Sequence, residues 1–275
     1  MGKKRSSLWK VLVDRGLFED RKTAASWILS GKVIVNGEKI QQEGTPIPVN
    51  SEIIIKGFDM KYVGKGGLKL ERALEVFSID VSGRVAIDAG ASTGGFTDCL
   101  LQKGCSKVYS VDVGFGQLAG KLRSNPNVIN MEKTNISEVK IEQLNPLPSI
   151  AVIDISYLSL KKAVPIVSKL ITDDGDIICL VKPLFEVNDV EIRRSGVIED
   201  EKVYKDILLD LVDYFTKIGF SIRGITNSPI TGNNRTIEFF IHLNKKPLNN
   251  MINYHNQIDD AINIALKIPQ YVKKR

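Results

Sequence analysis

The stretch Val85-Ala-Ile-Asp88-Ala-Gly90-Ala-Ser92-Thr93-Gly94-Gly95-Phe96-Thr97-Asp98 starts as an apolar run, turns through glycines and continues into a helical pattern. Strand, glycine loop, helix is the order of a nucleotide-type cofactor site. Glycine lets the backbone turn sharply and come close to a ligand. The following helix offers free N–H groups and a positive dipole end to a carboxylate or phosphate. Three cofactor classes compete. A P-loop needs Gly-Lys-Ser/Thr at the helix start, and no lysine stands there. A dinucleotide fingerprint needs glycine where Ser92 stands, and that side chain obstructs a pyrophosphate. A methyltransferase loop, acidic-x-Gly-x-x-x-Gly, matches Asp88, Gly90 and Gly94. A tight turn holding no ligand is the remaining alternative.

Outward from this loop the chain keeps the same rhythm. Apolar runs recur at Val108-Tyr-Ser-Val-Asp112, Ser149-Ile-Ala-Val-Ile-Asp154 and Ile177-Ile-Cys-Leu-Val-Lys182. Helical stretches at Thr97–Lys103, Leu160–Leu170 and Lys202–Lys217 separate or follow them. The alternation predicts a largely parallel, Rossmann-like α/β sheet covered by helices. Phe220–Thr226 and Thr236–Leu243 read as two strands joined by Gly232-Asn-Asn-Arg235, so the sheet should close with an antiparallel pair.

In an open α/β sheet the carboxyl ends of the strands form the ligand edge. Asp112 ends the run after the glycine loop, where a carboxylate can accept ribose hydroxyls. Asp154 and Lys182 each end an apolar run, Glu238 stands inside the apolar Thr236-Ile-Glu-Phe-Phe240, and Lys69 enters in Gly66-Gly-Leu-Lys69. A lysine closing a buried run is partly desolvated, which favours its neutral, basic form. Two lysines and two carboxylates at one edge suit methylation of a weakly acidic alcohol, whose proton must leave as the oxygen attacks. Unrelated ion pairs are the alternative.

The N-terminal part has another character. Leu8, Val11, Leu12 and Leu17, then Ala24, Ala25, Ile28 and Leu29, have helical spacing, and Gly31 ends the second helix. Val33-Ile-Val35 meets Asn36-Gly37, a tight hairpin signal, and Glu52-Ile-Ile-Ile-Lys56 is a further strand. Residues 1–35 carry eight Lys/Arg against three acids, a balance that invites a phosphate backbone or serves as a solvated face. Lys3, Lys4, Arg5, Arg15, Arg21, Lys22 and, further on, Lys65 are the candidate RNA-binding cations. Residues 1–58 read as one small domain, 59–68 as a linker carrying three of the four glycines in Gly57–Gly67, and 69–275 as the catalytic domain.

At 43% hydrophobic and 25% charged residues with a net charge of +6, the composition is that of a globular protein. Met1–Lys10 lacks the apolar core of a signal peptide, and no apolar run is long enough for a membrane helix; a cytoplasmic monomer without membrane contact is expected. Three cysteines without a CxxC pair and two histidines argue against a disulfide framework and against a metal site.

Together, Asp88-Ala-Gly-Ala-Ser-Thr-Gly-Gly-Phe-Thr-Asp98, the Lys69 segment, Asp154-Ile-Ser156, Val181-Lys-Pro-Leu-Phe-Glu186-Val187 and Thr236-Ile-Glu238 resemble the TlyA (hemolysin A) family. Its catalytic domain is similar to the FtsJ/RrmJ class I methyltransferases, and the N-terminal module resembles the RNA-binding domain first described in ribosomal protein S-four. The resemblance implies S-adenosylmethionine as cofactor and 2′-O-methylation of a cytidine in ribosomal RNA or ribosomal subunits. It implies a Lys-Asp-Lys-Glu tetrad at Lys69, Asp154, Lys182 and Glu238, with Lys182 as base. Asp88, Gly90, Ser92, Gly94 and Asp112 would bind the cofactor. Leu184 departs from the family's usual glutamine, and Gly232-Asn-Asn-Arg235 is bulkier than its usual turn. An RNA-binding assembly factor with little catalysis, or a membrane-lytic protein, are the rival functions.

Overall fold

The computed structural model describes residues 5–18, 20–56, 61–232, 236–247 and 254–268. The first of these form a small α+β unit: β1 (Arg5–Ser7), α1 (Leu8–Asp14), α2 (Arg21–Leu29), β2 (Val33–Val35), β3 (Glu38–Lys39), β4 (Pro46–Pro48) and β5 (Ile53–Ile55). β2 pairs antiparallel with β3 and β5, and β1 with β4. The β2–β3 hairpin turns at Asn36 and Gly37, with φ of 49° and 86°, the positive values a type I′ turn needs at both positions. Asp20 caps α2 by accepting the Thr23 N–H at 2.7 Å, which satisfies one of the helix's orphan donors. Leu8, Leu12, Ala24, Ile28 and Val33 are fully buried in a core cluster of this unit's own.

The rest alternates as expected: α3 (Gly66–Val76), β6 (Val85–Ala89), α4 (Gly95–Gln102), β7 (Lys107–Asp112), α5 (Gly120–Arg123), β8 (Val128–Glu132), β9 (Ile150–Ile153), α6 (Leu160–Val167) and β10 (Asp176–Val181). Then follow α7 (Pro183–Glu186), α8 (Val190–Ser195), α9 (Glu201–Lys217), β11 (Ser221–Asn227), β12 (Phe239–Asn244) and α10 (Tyr254–Ala265). Among the described residues, seven strands form one sheet in the order β11-β12-β10-β9-β6-β7-β8. β10, β9, β6, β7 and β8 run parallel. β12 lies antiparallel between β10 and β11, the closing pair that the sequence predicts.

Side chains on the strands alternate between two cores, because successive Cβ atoms leave a strand on opposite faces. On β10, Ile177, Cys179 and Val181 join one cluster, with Val164 of α6, Leu208 and Leu211 of α9 and Ile262 of α10. Ile178 and Leu180 join the other, with Leu70 and Ala73 of α3 and Phe96 and Leu100 of α4. With both faces covered, the strands read as unbroken apolar runs rather than alternating ones. Each fully buried Ile, Leu or Val contributes roughly 1.5–3 kcal/mol.

Three features differ from the sequence expectations. β8 and α10 were not marked by the pattern. β8 is an edge strand with Ile129 40% exposed, so it needs no second apolar face. Glu238 is not inside the last strand but directly before it, since β12 begins at Phe239. Part of the expected linker belongs to the large unit: Tyr62 is 2% exposed in the core of Leu70, Ala73 and Phe96, and α3 already begins at Gly66.

Candidate active site

From β6 the chain builds outward to β7 and β8 on one side, then to β9 and β10 on the other. That reversal opens a crevice at the carboxyl ends of β6 and β9. The glycine loop bridges it. Gly90 has φ 93°, and a β-carbon there would collide with the backbone carbonyl of Asp154; the loop crosses the end of β9 with no room for a side chain. Gly94, also at φ 93°, caps α4, and a β-carbon there would strike Leu118 and Leu122. Ser92 takes φ 49° and its N–H donates to Asp112 Oδ2 at 2.8 Å. Gly114 N–H donates to Asp112 Oδ1 at 2.6 Å. Asp112 thus ties the loop after β6 to the loop after β7, and each of its oxygens keeps a lone pair for a further donor.

Asp88 lies beneath this loop with no exposed surface. Its Oδ2 accepts the Thr97 hydroxyl at 2.7 Å, while Oδ1 is buried without a hydrogen-bond partner. Burial pushes this carboxyl up to about 7, and the charges of Asp154 and Asp112 push the same way against the Thr97 hydrogen bonds.

The four residues of the expected tetrad converge from four elements. Lys69 Nζ of α3 donates to Glu238 Oε2 at 2.5 Å, with side chains 10% and 4% exposed. Lys182, just past β10, brings Nζ to 2.5 Å from Oδ1 of Asp154, just past β9, and donates to Ser156 Oγ at 3.0 Å. No directed hydrogen bond reaches Asp154 Oδ1, so that contact is a Coulombic one. The two pairs sense each other. Burial raises the Glu238 carboxyl; the Lys69 charge lowers it, Asp154 raises it and Lys182 lowers it. Gly232 abuts the Glu238 carboxylate so closely that a β-carbon would overlap it. Gly232 N–H donates to the Thr236 carbonyl at 2.8 Å; residues 233–235 of that turn lie outside the described residues.

A family model described as FtsJ-like methyltransferase matches residues 62–245. The chain belongs to the FtsJ-like methyltransferases. This FtsJ-like methyltransferase is 39% identical over 244 residues to "Putative rRNA methyltransferase YqxC" of Bacillus subtilis, covering 88% of this chain and 87% of that one. It is 36% identical over 233 residues to the 16S/23S rRNA (cytidine-2'-O)-methyltransferase TlyA of Mycobacterium tuberculosis, covering 84% and 87%. Among solved structures, "Putative hemolysin from Streptococcus thermophilus" superposes with a TM-score of 0.81 at 36% identity, covering 97% of both chains.

The cationic candidates of the small unit are less free than the sequence suggests. In this FtsJ-like methyltransferase Arg5 donates to the Pro46 carbonyl at 2.6 Å and Arg15 to the Val49 carbonyl at 2.6 Å. Arg21 pairs with Glu43 at 2.6 Å and stacks over Trp9. Lys22 is exposed, and Lys65 lies beside Gly16. Lys3 and Lys4 lie outside the described residues. Each guanidinium has five donors, so the internal bonds orient these arginines without exhausting them.

Three residues around the candidate site carried no role in the sequence. Asp98, the last of the quoted loop, accepts the Val63 N–H at 2.8 Å and lies 3.0 Å from Lys121 Nζ. It fastens residues 61–65 to the glycine loop. Ser156 holds the Lys182 amine. Glu186 stands in Lys182-Pro-Leu-Phe-Glu186, and its carboxylate reaches across to Ser159 and Leu160. Local spacing marks all three as polar and says nothing of their partners. Among the described residues no cluster of His, Cys, Asp or Glu could hold a metal ion, and no helix is long and apolar enough to cross a membrane.

Proposed function

We infer that this protein transfers a methyl group from S-adenosylmethionine to the 2′-hydroxyl of a cytidine ribose in ribosomal RNA. The observation that carries this is the meeting of two lysine–carboxylate pairs, Lys69–Glu238 and Lys182–Asp154, at the sheet edge that also holds the glycine loop. The family gives the methyl transfer, and the name of the Mycobacterium tuberculosis relative gives the ribose, the base and the RNA.

The loop residues fit such a cofactor. Gly90 and Gly94 keep the cradle free of side chains, Asp88 Oδ1 is a buried acceptor without a donor, and Asp112 retains acceptor capacity for ribose hydroxyls. Ser92 completes the loop. S-adenosylmethionine supplies an electrophilic methyl on a sulfonium when bound. The protein's own task is the proton. A ribose hydroxyl attacks poorly until its proton leaves, and Lys182 accepts that proton at Nζ. Asp154 stabilises the ammonium so formed, while Lys69 and Glu238 set the field around it from the other side. The small unit holds RNA phosphates through Arg5, Arg15, Arg21 and Lys22, with Lys3, Lys4 and Lys65, acting on ribosomal particles in the cytoplasm.

The test is transfer of label from S-adenosylmethionine to ribosomal RNA or isolated subunits. Wild type should label a single ribose class, and Lys182→Ala should lower the rate at least about 10²-fold, the scale of a lost general base. Wild type that binds RNA but transfers no label to any ribosomal substrate would sink this function. Erythrocyte lysis that survives Lys182→Ala would favour a lytic one.

A further inference from the structure

Asp154 and Lys182 leave the sheet from neighbouring parallel strands, with Ile153 of β9 in register with Cys179 of β10. Past those ends the two segments diverge into loops with exposed stretches: Ser156 and Tyr157 on one side, residues 188–190 on the other. Tyr157 is 90% exposed and takes φ 67°, a backbone state that costs a non-glycine residue about 1–2 kcal/mol. Something must hold these loops in register for a lysine amine to stay within 2.5 Å of a carboxylate.

Glu186 does so. Lys182 opens a single tight helical turn, with Phe185 N–H donating to the Lys182 carbonyl and Val187 N–H to the Pro183 carbonyl, both at 2.9 Å. The turn throws the Glu186 side chain back over the β9 loop. There Oε2 accepts the Ser159 hydroxyl at 2.6 Å and Oε1 accepts the Leu160 N–H at 2.8 Å. Ser159 is the N-cap of α6 and Leu160 its first residue. A carboxylate there meets two donors and the positive end of the helix dipole. The arrangement closes a ring: β9, the segment from Asp154 to Ser159, Glu186, the turn back to Lys182, and β10. Lys182 Nζ spans that ring to Asp154 and Ser156. Tyr157 and Phe185, with ring centroids 5.0 Å apart, are a second contact between the same loops. Burial raises the Glu186 carboxyl, while Ser159, Leu160 and Lys161 lower it.

We propose that Glu186 is a positioning residue for proton transfer, bracing the Lys182 turn to the Asp154 loop and so fixing the base. The role rests on the methyl-transfer reading above. Both Glu186 oxygens are taken up by Ser159 and Leu160, so it acts through Lys182, and a misplacement of about 1 Å at a reacting group costs about 10²-fold in rate.

The full-length chain tests this with two variants and two readouts. Glu186→Ala removes both acceptors. Glu186→Gln keeps the bridge, with its amide oxygen accepting from Leu160 and its amide nitrogen donating to the Ser159 hydroxyl. In hydrogen exchange followed by mass spectrometry, Glu186→Ala should speed exchange in peptides covering 154–160 and 182–187 and leave β6, β7 and the small unit unchanged. Its kcat should fall about 10²-fold with KM for RNA and calorimetric cofactor affinity unchanged, and Glu186→Gln should recover most of both readouts. Unchanged exchange in the two segments, a kcat within about twofold of wild type, a glutamine variant as poor as alanine, or loosening throughout the chain would each overturn the proposal. Wild type that transfers no methyl group would overturn the functional reading and the positioning role with it. The exchange arm needs no substrate, so the two failures stay distinct.

Discussion

Replacing Lys69 by methionine strips the cation from a pair whose other member, Glu238, has a side chain only 4% exposed. Breaking a buried pair from one side leaves an uncompensated charge and costs about 3–5 kcal/mol. At a urea slope of roughly 2–3 kcal/mol per molar, the midpoint drops by about 1–2.5 M. The loss has a pH signature. Burial already raises the Glu238 carboxyl, and Lys69 is the largest influence pulling it back; without Lys69 it rises further. A carboxyl raised in the folded state contributes most below its unfolded value of 4.5 and loses that contribution as pH climbs through the folded value. Lys69→Met should therefore cost about 1 kcal/mol at pH 5, the worth of the missing hydrogen bond, and the full amount at pH 8. Lys69→Met with Glu238→Gln removes both charges and should return most of the stability at pH 8. Urea unfolding of the three proteins at both pH values decides it. A deficit equal at pH 5 and pH 8, or a double variant no more stable than Lys69→Met, refutes the buried-pair account.

Asp88 gives a second pH dependence of the same sign. Its carboxyl is pushed up to about 7 from 3.8, so its contribution is complete below the unfolded value and is lost as pH rises through about 7. Thermal unfolding of wild type should show that decline, on the order of a few kcal/mol, and Asp88→Asn should flatten it; a variant with the wild-type slope would assign the titration elsewhere. Removing residues 1–58 should weaken RNA binding and reduce its log–log salt slope by about 0.7–0.9 for every phosphate that the shortened protein no longer neutralises, with calorimetric cofactor affinity kept. Equal RNA affinity after the truncation would take the RNA-binding role from the small unit.

Local chemistry alone marks most of the large sheet's strands, the hairpin turn and the polar residues offered as the candidate site. Ile177–Val181 reads as a strand buried on both faces because every position is apolar, and two cores do take its alternate side chains. The Asn36-Gly37 turn and the glycines at 90 and 94 are legible because positive φ is a property of the residue and its neighbours. Asp154, Lys182 and Glu238 were legible as polar residues ending or interrupting apolar runs, whereas Lys69 was marked only by its place after a glycine pair and joined them through the family resemblance. Their pairing was not. Lys69 and Glu238 stand 169 residues apart, and nothing in spacing says which lysine meets which carboxylate. Strand order decided that: β9 lies beside β10, so Lys182 meets Asp154, while α3 delivers Lys69 to the residue that precedes β12. Tertiary packing also assigned Asp98, Ser156 and Glu186 their partners, and left Asp88 Oδ1 buried without one. A side chain's periodicity records which face it occupies, whereas its ion-pair partner is set by chain crossings many residues away.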